Sequence, residues 1–238
     1  MSEADCAACL EVALDAQSPD ARREAVVHIA KTSYLTRDVV VRALTTIAQT
    51  DKSGSVRFAA IRALAKAGIP EVVEPLLGIA SAPDETGAAL QAESGEARWA
   101  ALEGLDPLVE RGELSDAQRE TCQVAACRLL NHHRARDVRI AAARLLRHFR
   151  DRAVLTTLID ALEQRDFGVV YHSERSLMHL TGQSFDYAAA GWRQWLAATD
   201  DPFEQAGRLD AELYPKEPNW WERSLHATRQ SFTGFRPK

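Results

Sequence analysis

Several features that would define a function are missing from this sequence. It contains no run of about 18 apolar residues, so it offers no candidate for a transmembrane helix. Residues 1–5 include two acids where a signal peptide needs basic residues followed by an apolar centre. We therefore expect a cytoplasmic protein with no membrane partner.

The common catalytic signatures are also absent. There is no glycine-rich phosphate loop, no G-x-S-x-G and no H-E-x-x-H. Cys6 and Cys9 have C-x-x-C spacing, but with Leu10 they recur at helical spacing, and we interpret them as small core residues. No combination of cysteines and histidines has the spacing of a structural zinc site. We predict no catalytic residue, no metal and no cofactor.

The charges are nearly balanced overall but unevenly distributed. The chain carries 29 basic and 34 acidic side chains, and 46% of its residues are hydrophobic, which is typical of a soluble globular protein. Residues 21–67 hold nine basic and three acidic side chains, residues 68–120 hold three and 12, and residues 121–152 hold eight and two. These blocks are either patches that orient a charged partner or the solvated outer faces of helices.

The sequence does contain a repeated segment. Residues 56–64 (VRFAAIRAL) are followed 41 residues later by residues 97–105 (ARWAALEGL), and after a further 41 by residues 138–146 (VRIAAARLL). Weaker copies begin at Ala21 and Val169. A repeat of this period indicates a solenoid of stacked helical hairpins. We predict an all-α solenoid of about five hairpins.

Helix start and stop signals divide the chain further. Ser18 and Pro19 predict one helix start, Thr36 and Ser115 predict two others, and Gly68 predicts a helix end. We expect a loop over residues 81–95. The solenoid should occupy residues 1–182, and a tryptophan-rich helical C-terminal cap should occupy residues 183–238, with helices over 187–198 and 202–213.

The repeated pattern is a branched apolar residue, an arginine, and paired alanines four residues before a leucine. It resembles the second helix of HEAT repeats, an armadillo-like family, over about residues 4–182. Residues 180–187 (LTGQSFDY) and 192–196 (WRQWL) are similar to the ending of many bacterial HEAT-repeat proteins, including relatives of the bilin-lyase (PBS-lyase) repeat group. The resemblance implies a right-handed superhelix whose second helices line the concave face.

The resemblance also implies a ladder of arginines between repeats. The family's arginine falls on Arg22, Arg57, Arg98 and Arg139, and its aspartate partner stands six residues upstream. Only Asp51, upstream of Arg57, matches that partner. The expected pair is therefore Asp51 with Arg57, in an incomplete ladder.

Helical geometry separates core positions from exposed ones. Since each residue advances about 100°, placing Ala60 at the centre of the buried face puts Phe58 roughly 160° and Arg62 roughly 200° away, toward the predicted concave face. The equivalent positions of the other repeats also carry aromatic, apolar and charged side chains. The predicted partner-binding residues are Phe58, Arg62, Trp99, Ile140, Arg144, Tyr171 and Arg175.

This stripe predicts a non-enzymatic scaffold or adaptor that binds a protein or peptide segment on the concave face. Alternatively, helix curvature or the tryptophan-rich tail buries the rings. Some HEAT-like solenoids are DNA glycosylases, and arginines cluster within residues 134–152, so nucleic-acid binding or glycosylase-like activity is a second hypothesis. The net charge of −5 makes nucleic acid an unlikely partner. A bilin-lyase-like activity has weaker support, because the cysteines are expected in the core.

Overall fold

The computed structural model of the chain describes residues 3–83 and 88–213, except for the side chains of 88–94, 211 and 212. Two short 3-10 turns occur, at Pro70–Val72 and at Leu146–His148. The helices have these bounds: α1 (Glu3–Asp15), α2 (Pro19–Ile29), α3 (Asp38–Thr50), α4 (Gly54–Ala67), α5 (Val73–Ser81), α6 (Ala88–Glu110), α7 (Asp116–His132), α8 (Arg136–Leu145), α9 (Arg152–Ala161), α10 (Phe167–Thr181), α11 (Ala189–Ala198) and α12 (Asp210–Leu213).

The first ten helices form five antiparallel hairpins stacked in chain order. Each odd-numbered helix from α1 to α9 packs against the even-numbered helix that follows it. The second helices α2, α4, α6, α8 and α10 also contact one another in sequence and make one continuous row. Since the described residues contain no strand, the predicted all-α solenoid is confirmed.

The repeated segments hold these rows together. In α4, Val56, Ala60 and Leu64 are completely buried, as are Val138 and Ala142 in α8. Small alanines at these positions let neighbouring helices approach closely while branched residues fill the space between them. The stripe predicted from helical geometry is therefore the core.

Gly104 of α6 marks a close approach to α4. A Cβ atom at Gly104 would lie 2.6 Å from the Cβ and 2.8 Å from the Cα of Ala65. We expect Gly104→Ala to lower the free energy of unfolding by about 1–3 kcal/mol through overpacking. As a control, Gly78→Ala in α5 meets nothing within 4 Å and should raise it by up to about 1 kcal/mol. Urea denaturation checks both, and equal effects would contradict the close approach.

Most predicted helix ends are confirmed. The Ser18 side chain caps α2 by accepting a hydrogen bond from the backbone N–H of Ala21. Ser115 begins α7 in a capping box with Gln118. Gly68 ends α4 in the left-handed conformation, with φ of 58°.

Three local predictions are wrong. Helix α3 is preceded by Arg37 as its N-cap, not by Thr36. The predicted loop over residues 81–95 is too long, because α6 begins at Ala88, where good helix formers outweigh the nearby glycines. Residues 202–209 form turns instead of a helix, and Gly207 among them has φ of 79°. Helix α12 is only Asp210–Leu213.

Helix α11 extends the row of first helices by packing on α9. Trp192 is completely buried, and its indole N–H donates to Oε2 of the buried Glu174 at 2.7 Å. The rings of Phe185 and Trp195 lie 4.8 and 5.7 Å from that of Trp192, between centroids. The assignment of residues 183–238 to a cap stays a prediction, because Trp220 and Trp221 lie outside the described residues.

The expected pairing of the Asp51 carboxylate with Arg57 is wrong. Arg22, in the preceding hairpin, donates from Nε and Nη2 to the two oxygens of Asp51 at 2.7 and 2.8 Å. Arg57 instead donates to the backbone carbonyl of Asp51 at 2.8 Å. The residue six positions before a repeat's arginine therefore accepts hydrogen bonds from two repeats. Its backbone carbonyl accepts from the arginine of its own repeat, and its side chain accepts from the arginine of the preceding repeat.

The same arrangement recurs without aspartate. Arg98 lies 3.2 Å from Nε2 of His133, and Arg139 donates to Oε1 of Gln164 at 2.9 Å. Both partners stand six residues before the equivalent position of the next repeat, which is Val170 in the case of Gln164. The arginine ladder therefore continues through Arg98 and Arg139, although their partners are not aspartates.

The Arg22–Asp51 pair makes stability depend on pH. Hydrogen bonds from Arg22 lower the pKa of Asp51 below its ordinary value of 3.8. Because the pKa of Asp51 is depressed in the folded state, the pair contributes its full stabilisation above the unfolded-state pKa of Asp51, about 3.9. That stabilisation is lost as the pH falls through the folded-state pKa of Asp51. We expect Asp51→Asn to lower the melting temperature at neutral pH, with a difference that shrinks below about pH 4.

The control is Asp38→Asn, because the Asp38–Arg42 pair is largely exposed and should contribute little. Thermal unfolding followed by circular dichroism from neutral to acidic pH measures both variants. A deficit in Asp51→Asn that is the same at every pH would contradict this assignment.

Candidate partner-binding groove

The row of second helices carries a groove between α2, α4 and α6, with a volume of about 770 Å³. Its lining combines aromatic and small apolar side chains with basic ones. The lining residues are Arg23, Val27, Ala30, Lys31, Ser55, Phe58, Ala59, Arg62, Ala63, Ala65, Lys66, Trp99, Ala100, Glu103 and Gly104.

Two aromatic rings and one guanidinium meet in this groove. The Cζ atom of Arg62 lies 6.0 Å from the ring centroid of Phe58 and 5.8 Å from that of Trp99. Both rings are partly buried, whereas Arg62 is exposed. At these distances the cation is attracted to both rings, which restrains its side chain. We call this group the Phe58–Arg62–Trp99 site.

The repeat explains why these residues meet. Phe58 and Trp99 occupy equivalent positions in α4 and α6, which are neighbours in the row of second helices. Arg62 follows Phe58 by four residues, so both lie on one face of α4. Three of the seven predicted partner-binding residues are therefore brought together.

Two other predicted residues, Ile140 and Arg144, lie beyond the groove on α8. Ile140 is partly buried against the core. Arg144 donates from Nη1 to Oε1 of Glu103 at 2.9 Å, an ion pair that links α8 to α6. Arg144 therefore neutralises the acid at the edge of the groove.

Tyr171 and Arg175 lie at the far end of the row, on α10. Arg175 donates from Nη1 to the hydroxyl oxygen of Tyr171 at 2.7 Å, and its Nη2 donates to the carbonyl oxygen of Leu213. Nearby, the N–H of Gly207 donates to the carbonyl oxygen of His179 at 2.9 Å. The chain's own residues 207–213 thus lie against this end of the predicted stripe.

The groove also contains two lysines that were not predicted to bind a partner. Lys66 stands four residues after Arg62, one helical turn further along the same face of α4, and Lys31 stands four residues after Val27, in the turn that follows α2. Arg23 occupies the position of α2 that corresponds to Phe58. Extending the helical register by one turn would have found both lysines.

Cys6 has the predicted core role, whereas Cys9 is only partly buried and packs against the core. Cys6 and Cys122 are buried, and burial raises the pKa of the Cys122 thiol to about 12. A thiol with so high a pKa is protonated at neutral pH and is a poor nucleophile. Across residues 3–83 and 88–213, no cluster of three or more potential ligands is arranged to hold a metal ion. None of the helices described is long and apolar enough to cross a membrane.

Five stacked hairpins, four of which carry the repeated arginine, form an α-solenoid, and comparison with known families identifies its type. Residues 7–94 match the family described as HEAT repeats, and residues 138–164 match the PBS lyase HEAT-like repeat. The chain therefore contains HEAT repeats.

Solved structures agree with this fold, although no curated protein matches the chain. Two crystal structures of engineered proteins, both targets of the Northeast Structural Genomics Consortium, are similar to it. The first has a TM-score of 0.55 at 18% identity and covers 91% of this chain and 100% of its own. The second has a TM-score of 0.51 at 18% identity and covers 96% and 95%. At this identity the likeness concerns the fold alone.

Proposed function

We propose that this protein is a non-enzymatic scaffold that binds a segment of a partner protein in the groove between α2, α4 and α6. The HEAT-repeat solenoid is a fold typical of such scaffolds. The observation that carries the proposal is the contact of Arg62 with both Phe58 and Trp99, whose partly buried rings rest on the core and line the groove. The cytoplasmic location stays a prediction.

The site has the composition and order that binding requires. Aromatic and arginine side chains dominate the energetic centres of protein interfaces. Arg62 is restrained by both rings before a partner arrives, so less side-chain entropy is lost on association. Phe58 packs against the core with one part of its ring and remains partly exposed in the groove, which supports a role in binding beside its structural one.

The remaining predicted residues extend the same surface. Ile140, Arg144, Tyr171 and Arg175 continue the stripe along α8 and α10, where a longer partner segment would reach them. Their contacts with Glu103 and Leu213 would have to be shared or replaced, so we assign the main binding energy to the Phe58–Arg62–Trp99 site.

The hypothesis of nucleic-acid binding or glycosylase-like activity loses its local support. It depended on the arginines of residues 134–152, most of which hold other parts of the chain. For example, Arg147 donates to Asp106 at 2.8 Å, and Arg152 donates to the carbonyl oxygen of Leu196 at 3.3 Å. Arginines used in this way offer little to a phosphate backbone.

Peptide display on the full-length chain tests the proposal. Peptides selected on the parent protein should bind Phe58→Ala and Trp99→Ala at least about 30-fold more weakly, as expected for interface centres. Arg62→Ser should also weaken binding, although both rings remain. The matched control is Tyr34→Ala, because Tyr34 contacts Arg37 at 5.4 Å outside the groove.

Circular dichroism and thermal unfolding separate binding from folding. Folded variants with lost affinity support the proposal. Parental affinity in all three groove variants would overturn it, as would global unfolding of both ring variants together with parental affinity in Arg62→Ser.

A further inference from the structure

We infer that the groove selects an acidic peptide segment that carries one apolar anchor residue. This inference rests on the proposed function and adds the chemistry of the partner. The groove is lined by four basic residues, Arg23, Lys31, Arg62 and Lys66, and by one acid, Glu103. The chain as a whole has a net charge of −5, so this surface opposes the overall charge.

The basic side chains of the groove are not neutralised by the part of the chain that the structure describes. Among the side chains that the structure describes, which exclude those of 88–94, 211 and 212, no acid forms an ion pair with Lys31, Arg62 or Lys66. Arg23 has only a 3.9 Å contact with Asp20, and both side chains are substantially exposed. Glu103, the acid in the lining, pairs at 2.9 Å with Arg144. The groove therefore carries a local excess of positive charge.

The floor of the groove determines the second part of the inference. Phe58 and Trp99 present apolar surface, and Val27 is an exposed large hydrophobic residue beside them. A purely acidic segment would leave these surfaces against water. An apolar side chain on the rings, with carboxylates on either side, satisfies both the floor and the basic residues.

Nucleic acid fits this surface less well. A phosphate backbone requires positive charge along its whole track. Beyond the groove, the row of second helices carries paired charges, because Glu103 binds Arg144 and Asp106 contacts both Arg147 and His148, at 2.8 and 3.1 Å. The positive surface is therefore local, which suits a short acidic segment.

The chain's own C-terminal residues also have the wrong charge. Residues 214–238 contain five basic and two acidic side chains. Their aromatic residues match the floor of the groove, but their net positive charge would be placed beside Arg23, Lys31, Arg62 and Lys66. Charge complementarity therefore favours an acidic partner over this segment.

Fluorescence anisotropy with the full-length protein tests the inference. The probes are a short labelled peptide in which glutamates flank one phenylalanine, its analogue with glutamine at every glutamate, a single-stranded oligonucleotide, and a peptide of residues 214–238. The double variant Lys31→Glu/Lys66→Glu reverses two charges and keeps both rings. Lys52→Glu is the matched control, since Lys52 is exposed outside the groove.

We expect the glutamate peptide to bind the parent and Lys52→Glu alike, and the double variant about tenfold or more weakly. Parental binding should also weaken with added salt. If the glutamate peptide and its glutamine analogue bind the parent equally well, and both lose affinity for Trp99→Ala, the acidic preference is overturned. The proposed function is not contradicted by that result. If the glutamate peptide binds Phe58→Ala and Trp99→Ala with the affinity of the parent, the proposed function itself is contradicted.

Three further results would overturn the inference. They are failure of the glutamate peptide to bind the parent, tighter binding of the oligonucleotide, and tighter binding of the 214–238 peptide that is lost in Trp99→Ala.

Discussion

Replacing Ala142 with glutamate is expected to unfold the solenoid or to destabilise it by more than about 4 kcal/mol. Ala142 lies in α8, in the fourth of the five hairpins, and is completely buried. Close by, the hydroxyl of Ser176 in α10 donates to the carbonyl oxygen of Ala143 at 2.7 Å, so little space separates these helices. A glutamate would need both additional volume and a partner for a buried carboxylate.

The matched control is Ala190→Glu, at an exposed position in the first turn of α11, where an acid is compatible with the helix dipole. Thermal and urea denaturation followed by circular dichroism measure both. If Ala142→Glu melts like the parent, the assignment of the repeated alanines to the core is wrong.

Trp192→Ala is expected to have the second large effect on stability. It should lower the free energy of unfolding by about 3–5 kcal/mol. The change removes a completely buried indole and its contacts with Phe185 and Trp195. It also removes the donor at 2.7 Å from the buried Glu174, which then keeps only the longer hydrogen bonds from Ser184 and from the Phe185 N–H. A buried carboxylate that loses its main donor is costly.

Trp192→Phe separates these contributions, because it keeps most of the ring and removes the donor. We expect it to cost about 1–3 kcal/mol. Urea denaturation gives the free energies, and hydrogen exchange should show loss of protection in α10 and α11 first. Equal stability of the parent and Trp192→Ala would show that α11 does not stabilise the last repeat.

The repeat made most of the fold predictable. The spacing of 41 residues between the three strong copies places equivalent positions on neighbouring helices, so the burial of Ala60 and Ala142 and the position of Phe58 and Trp99 in one groove follow from spacing. Each of these predictions depends only on helix geometry and on contacts between adjacent repeats.

What the sequence did not predict depends on side-chain direction or on tertiary contacts. Asp51 pairs with Arg22 because its side chain points to the preceding hairpin, which spacing within one repeat does not show. Residues 202–209 have no repeat equivalent, and their turns are fixed by contacts such as that between the Gly207 N–H and the carbonyl of His179. Lys31 and Lys66 lie outside the predicted stripe, because it includes only two positions per second helix and these lysines stand four residues after the second one.

The most direct test of the groove as a binding site observes Trp99 itself. The full-length protein is labelled with 5-fluorotryptophan, and the ¹⁹F resonance of Trp99 is assigned by its loss in Trp99→Phe. Titration with a peptide selected on the parent protein should shift this resonance to saturation, while that of the buried Trp192 stays in place. Saturable peptide binding that leaves the Trp99 resonance unchanged would contradict the groove as the binding site.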